Sequence, residues 1–384
     1  MRAAAVVAVT GVLLALPVPA YAQQAGQCAP PEATVAQPEP WAQQRLSPAR
    51  VWPMTKGAVR IAVVDTGVSA EAPTLAGAVS EGVDVSGGTA NTDCAGHGTF
   101  LAGLIASRPM EKTAFAGIAP AAQIVPVRVT NDPARVDPVV LAAGVRAAVD
   151  SGARIVAIGV VNTVDAPELQ AAVELARSRD VLVIAPAAVR QAKQRAYPAS
   201  ADGVVAVAPV GPDGPPKSSL LGAQPTVAAP AEQLVGIGPA GLGHRLASGP
   251  ELAVAFVAAS AALVWEQYPE LPAIEVTKRL VATADRPSGQ VPHPVVGYGI
   301  VDPVAAVSTL LTGQTKPPAS REHISMVLPA AEDTGPARAA MWFVAVLAGA
   351  AVVAAGTAAV VTRARRRGWR AAAPLGRRGR DIPT

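Results

Sequence analysis

The sequence predicts an α/β fold in which a mostly parallel sheet is covered by helices on both faces, giving three layers. Strand-like apolar segments alternate with helical patterns between residues 57 and 314. These segments are apolar almost throughout, as expected for strands that are buried on both faces. With 384 residues, 51% of them apolar, the chain is long enough for one large core and for separate segments at both ends.

Five segments have the length and composition of buried strands: AVRIAVVD (58–65), QIVPVRV (123–129), RIVAIGVV (154–161), VLVIAPA (181–187) and GVVAVAPV (203–210). Helices are predicted over GHGTFLAGLIAS (96–107), PVVLAAGVRAAVDSG (138–152), PELQAAVELARSR (167–179), a segment starting at Gly249, and AIEVTKRLVATA (273–284). Strands that alternate with helices in this way are joined by crossover connections, which makes neighbouring strands parallel.

The N-terminus has the pattern of a secretory signal peptide over residues 1–22. Arg2 precedes an apolar run that ends at Leu16, and a small-x-small cleavage site follows at Ala20-Tyr21-Ala22. Residues 23–56 are rich in Pro and Gln and are interpreted as an extension that wraps the domain of residues 57–314.

The C-terminal region predicts a membrane anchor. Residues 315–338 are a Pro-rich stalk, 339–362 an uncharged apolar helix of spanning length, and 363–384 a tail with eight Arg and one Asp. Positive charge marks the cytoplasmic side, so the α/β domain is expected outside the cytoplasm. The net charge of +4 arises from this tail. The domain has no basic run of similar density, which argues against nucleic acid as a partner.

The chain has two cysteines, Cys28 and Cys94. An exported domain is exposed to oxidising conditions, so one disulfide is expected, with two free thiols as the alternative. Such a bond would fix the mature N-terminus beside the segment that carries His97. His244, His293 and His323 lack metal-ligand spacing, and neither an acidic calcium cluster nor a phosphate-binding glycine loop is present. No metal or cofactor is therefore expected.

Asp65 and His97 are the candidate catalytic residues. Asp65 ends the first strand, and the carboxyl ends of parallel strands are where functional groups gather. His97 stands between two glycines at the start of a helix. Either residue alone is weak support, but an Asp, then a His, then a much later helix start match the order found in one class of serine hydrolases.

Longer motifs carry a resemblance to a known family. VVDTGV (63–68) and GHGTFLAG (96–103) resemble the Asp and His motifs of subtilisin-like proteases of peptidase family S8, and FAGIAPAAQIVPVRV (115–129) and GYGIVDPVAAV (297–307) resemble later segments. Further features narrow the resemblance: the signal peptide, Cys94 beside the His motif, the Pro-rich stalk and the single C-terminal transmembrane helix. With these features, the chain is similar to the mycosins, the membrane-anchored subtilases of type VII secretion systems. The resemblance implies a subtilisin-like fold and a serine endopeptidase that acts on exported proteins.

The nucleophile expected from this resemblance is missing. The family motif Gly-Thr-Ser-x-Ala-x-Pro, placed ahead of AALV (261–264), puts Glu251 at the serine and Ala255 at the proline. A carboxylate beside His97 would keep the imidazole protonated and so remove the base, and an anhydride formed with peptide would be a poor intermediate. Ser248 and Glu251 also have the spacing of a capping box at the helix start.

The resemblance also puts Val189 at the position of the family's oxyanion-stabilising Asn, whose loss costs about 10²–10³ in rate. Ser248 could act as a nucleophile in a shifted register, which would not restore the Asn, and Ser260 lies about two and a half turns into the helix. We therefore expect a non-catalytic, mycosin-like component of a type VII secretion system. The alternatives are an active serine endopeptidase and a module that binds secreted peptides in the cleft without cutting them.

Overall fold

The computed structural model describes residues 28–111, 113–216, 220–311 and 335–368. They fall into two compact units, Met1–Pro318 and Ala319–Thr384. The signal peptide predicted for residues 1–22, most of the stalk and the tail beyond residue 368 lie outside the described residues.

The first unit contains a parallel sheet of seven strands in the order β2-β3-β1-β4-β5-β7-β9. Its strands are β1 Arg60–Asp65, β2 Val83–Asp84, β3 Gln123–Arg128, β4 Ile155–Ile158, β5 Leu182–Pro186, β7 Val205–Val210 and β9 Val227–Pro230. Two short antiparallel pairs accompany the sheet, β6 Ala188–Val189 with β8 Leu220–Leu221 and β10 Leu234–Ile237 with β11 His244–Ala247. All five strands predicted from the sequence are present, each within a few residues of its expected bounds.

The helices of this unit are α1 Trp41–Leu46, α2 His97–Ala106, α3 Pro138–Asp150, α4 Pro167–Ser178, α5 Ala253–Gln267, α6 Ala273–Thr283 and α7 Pro303–Ser308. A 3₁₀ turn, Pro250–Leu252, leads into α5. The helix predicted from Gly249 is therefore confirmed, although its first residues form this turn.

The sheet separates two apolar cores. Ile61 and Val63 of β1 point into the core formed with α2 and α5, whereas Ala62 and Val64 point into the core formed with α3 and α4. This alternation follows from the two-residue period of a strand, and it explains why β1 has no polar face. Helix α5 is buried from Ala253 to Trp265, as a central helix covered on all sides must be.

Residues 28–56 run over the first unit through many separate contacts. The Ala29 amide donates to the Cys94 carbonyl at 2.8 Å, and Glu32 and Thr34 accept hydrogen bonds from the amides of Gly243 and His244. Farther along, the Glu266 carboxylate of α5 accepts hydrogen bonds from the Thr55 hydroxyl and from the amides of residues 56–58. Polar contacts at both ends thus hold this segment against the domain.

The predicted disulfide between Cys28 and Cys94 is present, and the two cysteines are 66 residues apart. Breaking it in a Cys28→Ser/Cys94→Ser variant should lower the free energy of unfolding by about 4 kcal/mol, because a long loop is no longer closed in the unfolded chain. Thermal unfolding of the full chain in detergent should show a midpoint lower by about 10 °C. A reducing agent should produce the same change in the natural chain and none in the variant. Equal midpoints for the two oxidised proteins would contradict the prediction.

The second unit contains helix α8, Gly335–Arg366. Its stretch Ala340–Arg366 is long and apolar enough to cross a membrane, and it is the one such helix among the described residues. Trp342 stands near its start, and Arg363, Arg365 and Arg366 lie in its last turn.

Candidate active site

Asp65 and His97 form a hydrogen-bonded pair at the carboxyl end of β1. His97 Nδ1 lies 2.8 and 2.9 Å from the two carboxylate oxygens of Asp65, which is fully buried. The Thr66 amide donates to the same carboxylate at 2.7 Å. Gly159 at the end of β4 leaves the space for this carboxylate, since a Cβ there would lie 1.9 Å from Asp65 Oδ2. The two residues that the sequence pairs are therefore in contact.

Glu251 faces the other nitrogen of the same imidazole. Its Oε1 lies 3.5 Å from His97 Nε2, within ion-pair distance, and the two side chains are only 7% and 17% exposed. The carboxylate folds back over Gly249, where a Cβ would come within 2.4 Å of Oε1. Gly249 has an extended backbone that any residue could adopt, so its missing side chain is needed only for space.

The capping box predicted for Ser248 and Glu251 is wrong. Gly249 precedes the 3₁₀ turn, and no side-chain hydrogen bond caps it. The Ser248 hydroxyl instead accepts a hydrogen bond from the Gln233 amide at 2.9 Å. Glu251 points toward His97 instead, so its carboxylate faces the buried imidazole and not a backbone amide at the helix start.

His97 is held in its protonated form. Burial, the largest single influence, lowers the pKa of His97, but the negative charge and hydrogen bonds of Asp65, followed by those of Glu251, outweigh it and raise the pKa to about 10. An imidazole charged at neutral pH carries a proton on both nitrogens, so it has no lone pair with which to accept a proton from a nucleophile.

Val189 offers no polar group at the candidate oxyanion position. It lies in β6, pairs with Leu220 of β8, and is buried among apolar neighbours of the core on the α3–α4 side. Of the alternative serines, Ser260 is fully buried in α5 and donates to the Phe256 carbonyl at 2.7 Å. The proton of the Ser260 hydroxyl is therefore already used within its own helix.

Asp93 supports the pair and was not singled out from the sequence. Its buried carboxylate accepts hydrogen bonds from the Thr66 hydroxyl, from the amide and hydroxyl of Thr99 and from the Gly96 amide, each at 2.8 Å. Burial raises the pKa of Asp93 in spite of the hydrogen bonds from Thr99, which lower it. Asp93 thus joins the segment after β1 to the start of α2, and it fixes the backbone on both sides of His97.

Arg245 of β11 is a second residue that the sequence did not indicate. Its guanidinium donates to the Gly96 carbonyl, directly before His97, and lies 5.6 Å from the centre of the Phe100 ring. Pro239 also approaches Gly96. The β10–β11 hairpin therefore packs against the start of α2 and limits its movement.

Within the described ranges, no three His, Cys, Asp or Glu side chains are arranged to hold a metal ion.

The family follows from comparison with known proteins. Residues 56–299, more than half of the chain, match the model of the subtilase family, peptidase S8. The chain belongs to the subtilase family. The VVDTGV and GHGTFLAG motifs both lie inside the matched range.

Among subtilases, the chain is similar to mycosins. Mycosin-3 of Mycobacterium tuberculosis is 30% identical to it over 85% of this chain and 84% of that protein. The solved structure of the serine protease MycP1, described as an essential component of the type VII (ESX-1) secretion system, superposes with a TM-score of 0.66 at 29% identity, covering 75% of this chain and 94% of MycP1. This likeness and the parallel sheet confirm the predicted subtilisin-like fold.

A chain of the intact ESX-5 inner membrane complex is also similar to this subtilase. The identity is 28% and the TM-score 0.65, over 88% of this chain and 94% of the other. The coverage includes more of this chain than the MycP1 match does. It is thus a relative solved within a membrane assembly.

Proposed function

We propose that this subtilase is a non-catalytic, membrane-anchored component of a type VII secretion system. The observation that carries the proposal is the Glu251 carboxylate, which lies 3.5 Å from His97 Nε2. In an active triad this nitrogen removes the proton of a serine hydroxyl. Here it meets an anion that cannot supply that proton and that favours the charged imidazole. A second catalytic contribution, the stabilisation of the oxyanion, is also missing. Val189 stands where the family has an Asn, and its side chain cannot donate a hydrogen bond to an oxyanion.

The remainder of the molecule supports a role in assembly. The fold and the Asp65–His97 pair are intact, the apolar helix Ala340–Arg366 is suited to anchoring, and solved relatives include a chain of the ESX-5 inner membrane complex. The Cys28–Cys94 disulfide favours an oxidising compartment for the folded unit. The arginines at the end of α8 favour a cytoplasmic tail.

The proposal predicts that secretion requires the chain but not its triad residues. In a host that lacks the chain, Asp65→Asn should restore secretion of type VII substrates to the level given by the natural sequence, because no proton transfer depends on His97. The natural chain should also co-purify with the membrane-embedded secretion components. In intact spheroplasts, added protease should remove the folded unit and leave the tail.

Two controls make this test decisive. Asp165→Asn, a change at an exposed position far along the chain from the site, controls for the charge lost. Immunoblotting of membranes shows whether each variant accumulates. Loss of secretion with Asp65→Asn, at a natural amount of membrane-bound protein, would refute the proposal and indicate a proteolytic role.

A further inference from the structure

A cluster of positive charge lies on the loop that follows Val189. Arg190, Lys193 and Arg195 occupy residues 190–195, and all three side chains are exposed. We call residues 190–195 the basic loop. No acidic residue occurs in the sequence between Asp180 and Asp202, so the basic loop lacks nearby negative charge along the chain. By contrast, residues 28–311 as a whole contain 24 acidic and 20 basic residues.

The basic loop is also unpaired in three dimensions. Among the described residues, none of its three cations forms an ion pair or a side-chain hydrogen bond, whereas some exposed cations elsewhere do form ion pairs. Arg177 pairs with Glu174 at 2.6 Å, for example, and Lys278 pairs with Glu275 at 2.7 Å. Three like charges within six residues repel one another, which destabilises the isolated chain slightly and favours an anionic partner.

The backbone of the loop is strained at Lys193, whose φ of 67° lies in the left-handed region. A residue with a side chain pays on the order of 1 kcal/mol for this conformation. Glycine would avoid that cost, but it would remove a charge. The left-handed residue at this point of the loop is therefore one that keeps its positive charge.

A groove begins at the basic loop. It has a volume of about 490 Å³ and is lined by Arg195, Ser200, Leu221, Gln224 and Pro294, among others. Leu221 and Pro294 provide apolar contact. The Ser200 hydroxyl and the Gln224 amide each donate to a backbone carbonyl of the protein, and each keeps an oxygen that can accept a hydrogen bond. A concave surface of this composition, with the Arg195 guanidinium of the basic loop in its lining, is suited to a few residues of extended peptide.

We propose that the basic loop and this groove form a docking surface for an acidic, extended peptide segment of a partner protein. Carboxylates of the partner would pair with Arg190, Lys193 and Arg195, and the adjoining apolar side chain would enter the groove. A concave groove favours a peptide over a flat anionic membrane surface. The inference does not depend on the state of His97, so it stands whether or not the proposed function does.

The test uses the full chain in neutral phosphatidylcholine nanodiscs. A fluorescent eight-residue peptide of alternating Glu and Ala should bind, and the matching Lys–Ala peptide should not. In an Arg190→Gln/Lys193→Gln/Arg195→Gln variant, the affinity should fall by roughly tenfold or more, because three charge pairs are lost. An Arg50→Gln/Arg179→Gln/Arg286→Gln variant removes the same charge from exposed positions elsewhere and should bind as the natural chain does.

Three outcomes would overturn the proposal. Equal weakening in both triple variants would mean that overall charge, not the basic loop, attracts the peptide. Equal binding of the Lys–Ala peptide would exclude charge recognition. Loop-dependent binding to phosphatidylglycerol vesicles without binding of the Glu–Ala peptide would identify a lipid surface as the partner instead. Unchanged thermal unfolding of the loop variant shows that any loss does not come from misfolding.

Discussion

A Glu251→Ser variant is expected to react with a fluorophosphonate probe, whereas the natural chain is not. The substitution removes the carboxylate that lies 3.5 Å from His97 Nε2 and places a hydroxyl at the same point of the chain. With one anion fewer beside it, the imidazole loses its proton more easily and can act as the base, while Asp65 still orients it through Nδ1. The measurement is covalent labelling of the full chain in detergent, beside an active subtilase.

Adding Val189→Asn to this variant should increase the labelling rate further, by about 10²–10³, if the new amide reaches the oxyanion. The size of the increase separates the two missing parts, because one variant restores only the nucleophile and the other both groups. Val189 is packed among apolar side chains, so the double variant must first be shown to unfold as a single transition.

Glu251→Gln is the matched control, since it removes the negative charge without supplying a nucleophile. It should not be labelled. His97→Ala in the restored background should abolish labelling, which would show that the new serine depends on the imidazole. Stoichiometric labelling of the natural chain, mapped to Ser248 or to another serine, would contradict the proposal and identify a working protease.

Local patterns in the sequence predicted the parts of this site that depend on strand ends and helix starts. Asp65 and His97 could be paired from the sequence alone. The carboxyl ends of parallel strands lie at one edge of the sheet, and the start of a following helix can reach that edge. Glu251 came instead from the resemblance, because the subtilase motif counted back from AALV puts this residue at the serine, and in the structure its side chain lies beside the imidazole. That the chain no longer cleaves peptide stays a prediction.

The capping box shows where local reasoning failed. Ser248 and Glu251 have the correct spacing, but a cation from a segment more than 150 residues earlier competes for the acid, and spacing alone carries no information about it. Asp93 was missed for a related reason. An Asp three residues before a Gly often accepts a backbone hydrogen bond, a local signal that the sequence did contain, but its bond to Thr66 joins two separate segments. Arg245 gave no signal, since strands of four residues such as β11 are too short for a clear alternating pattern.

The second large effect concerns the charge of His97. Selective isotope labelling of the four histidines should show one ring that stays protonated to a pH of about 10, because the carboxylates of Asp65 and Glu251 raise the pKa of His97 that far from its ordinary value of 6.5. Glu251→Gln should lower this pKa, and Asp65→Asn should lower it more, since Asp65 contributes the larger attraction. His97→Gln should remove the signal and assign it.

The same shift makes stability depend on pH in a defined direction. Because the pKa of His97 is higher in the folded chain than in the unfolded chain, the stabilisation is fully present below pH 6.5 and is lost as the pH rises through about 10. A shift of this size corresponds to roughly 5 kcal/mol. Chemical unfolding between pH 6 and pH 10.5 should therefore show a loss of stability that is smaller in Glu251→Gln. If the natural chain and Glu251→Gln lose stability equally over this range, Glu251 does not hold the proton on His97, and the central support for a non-catalytic site is gone.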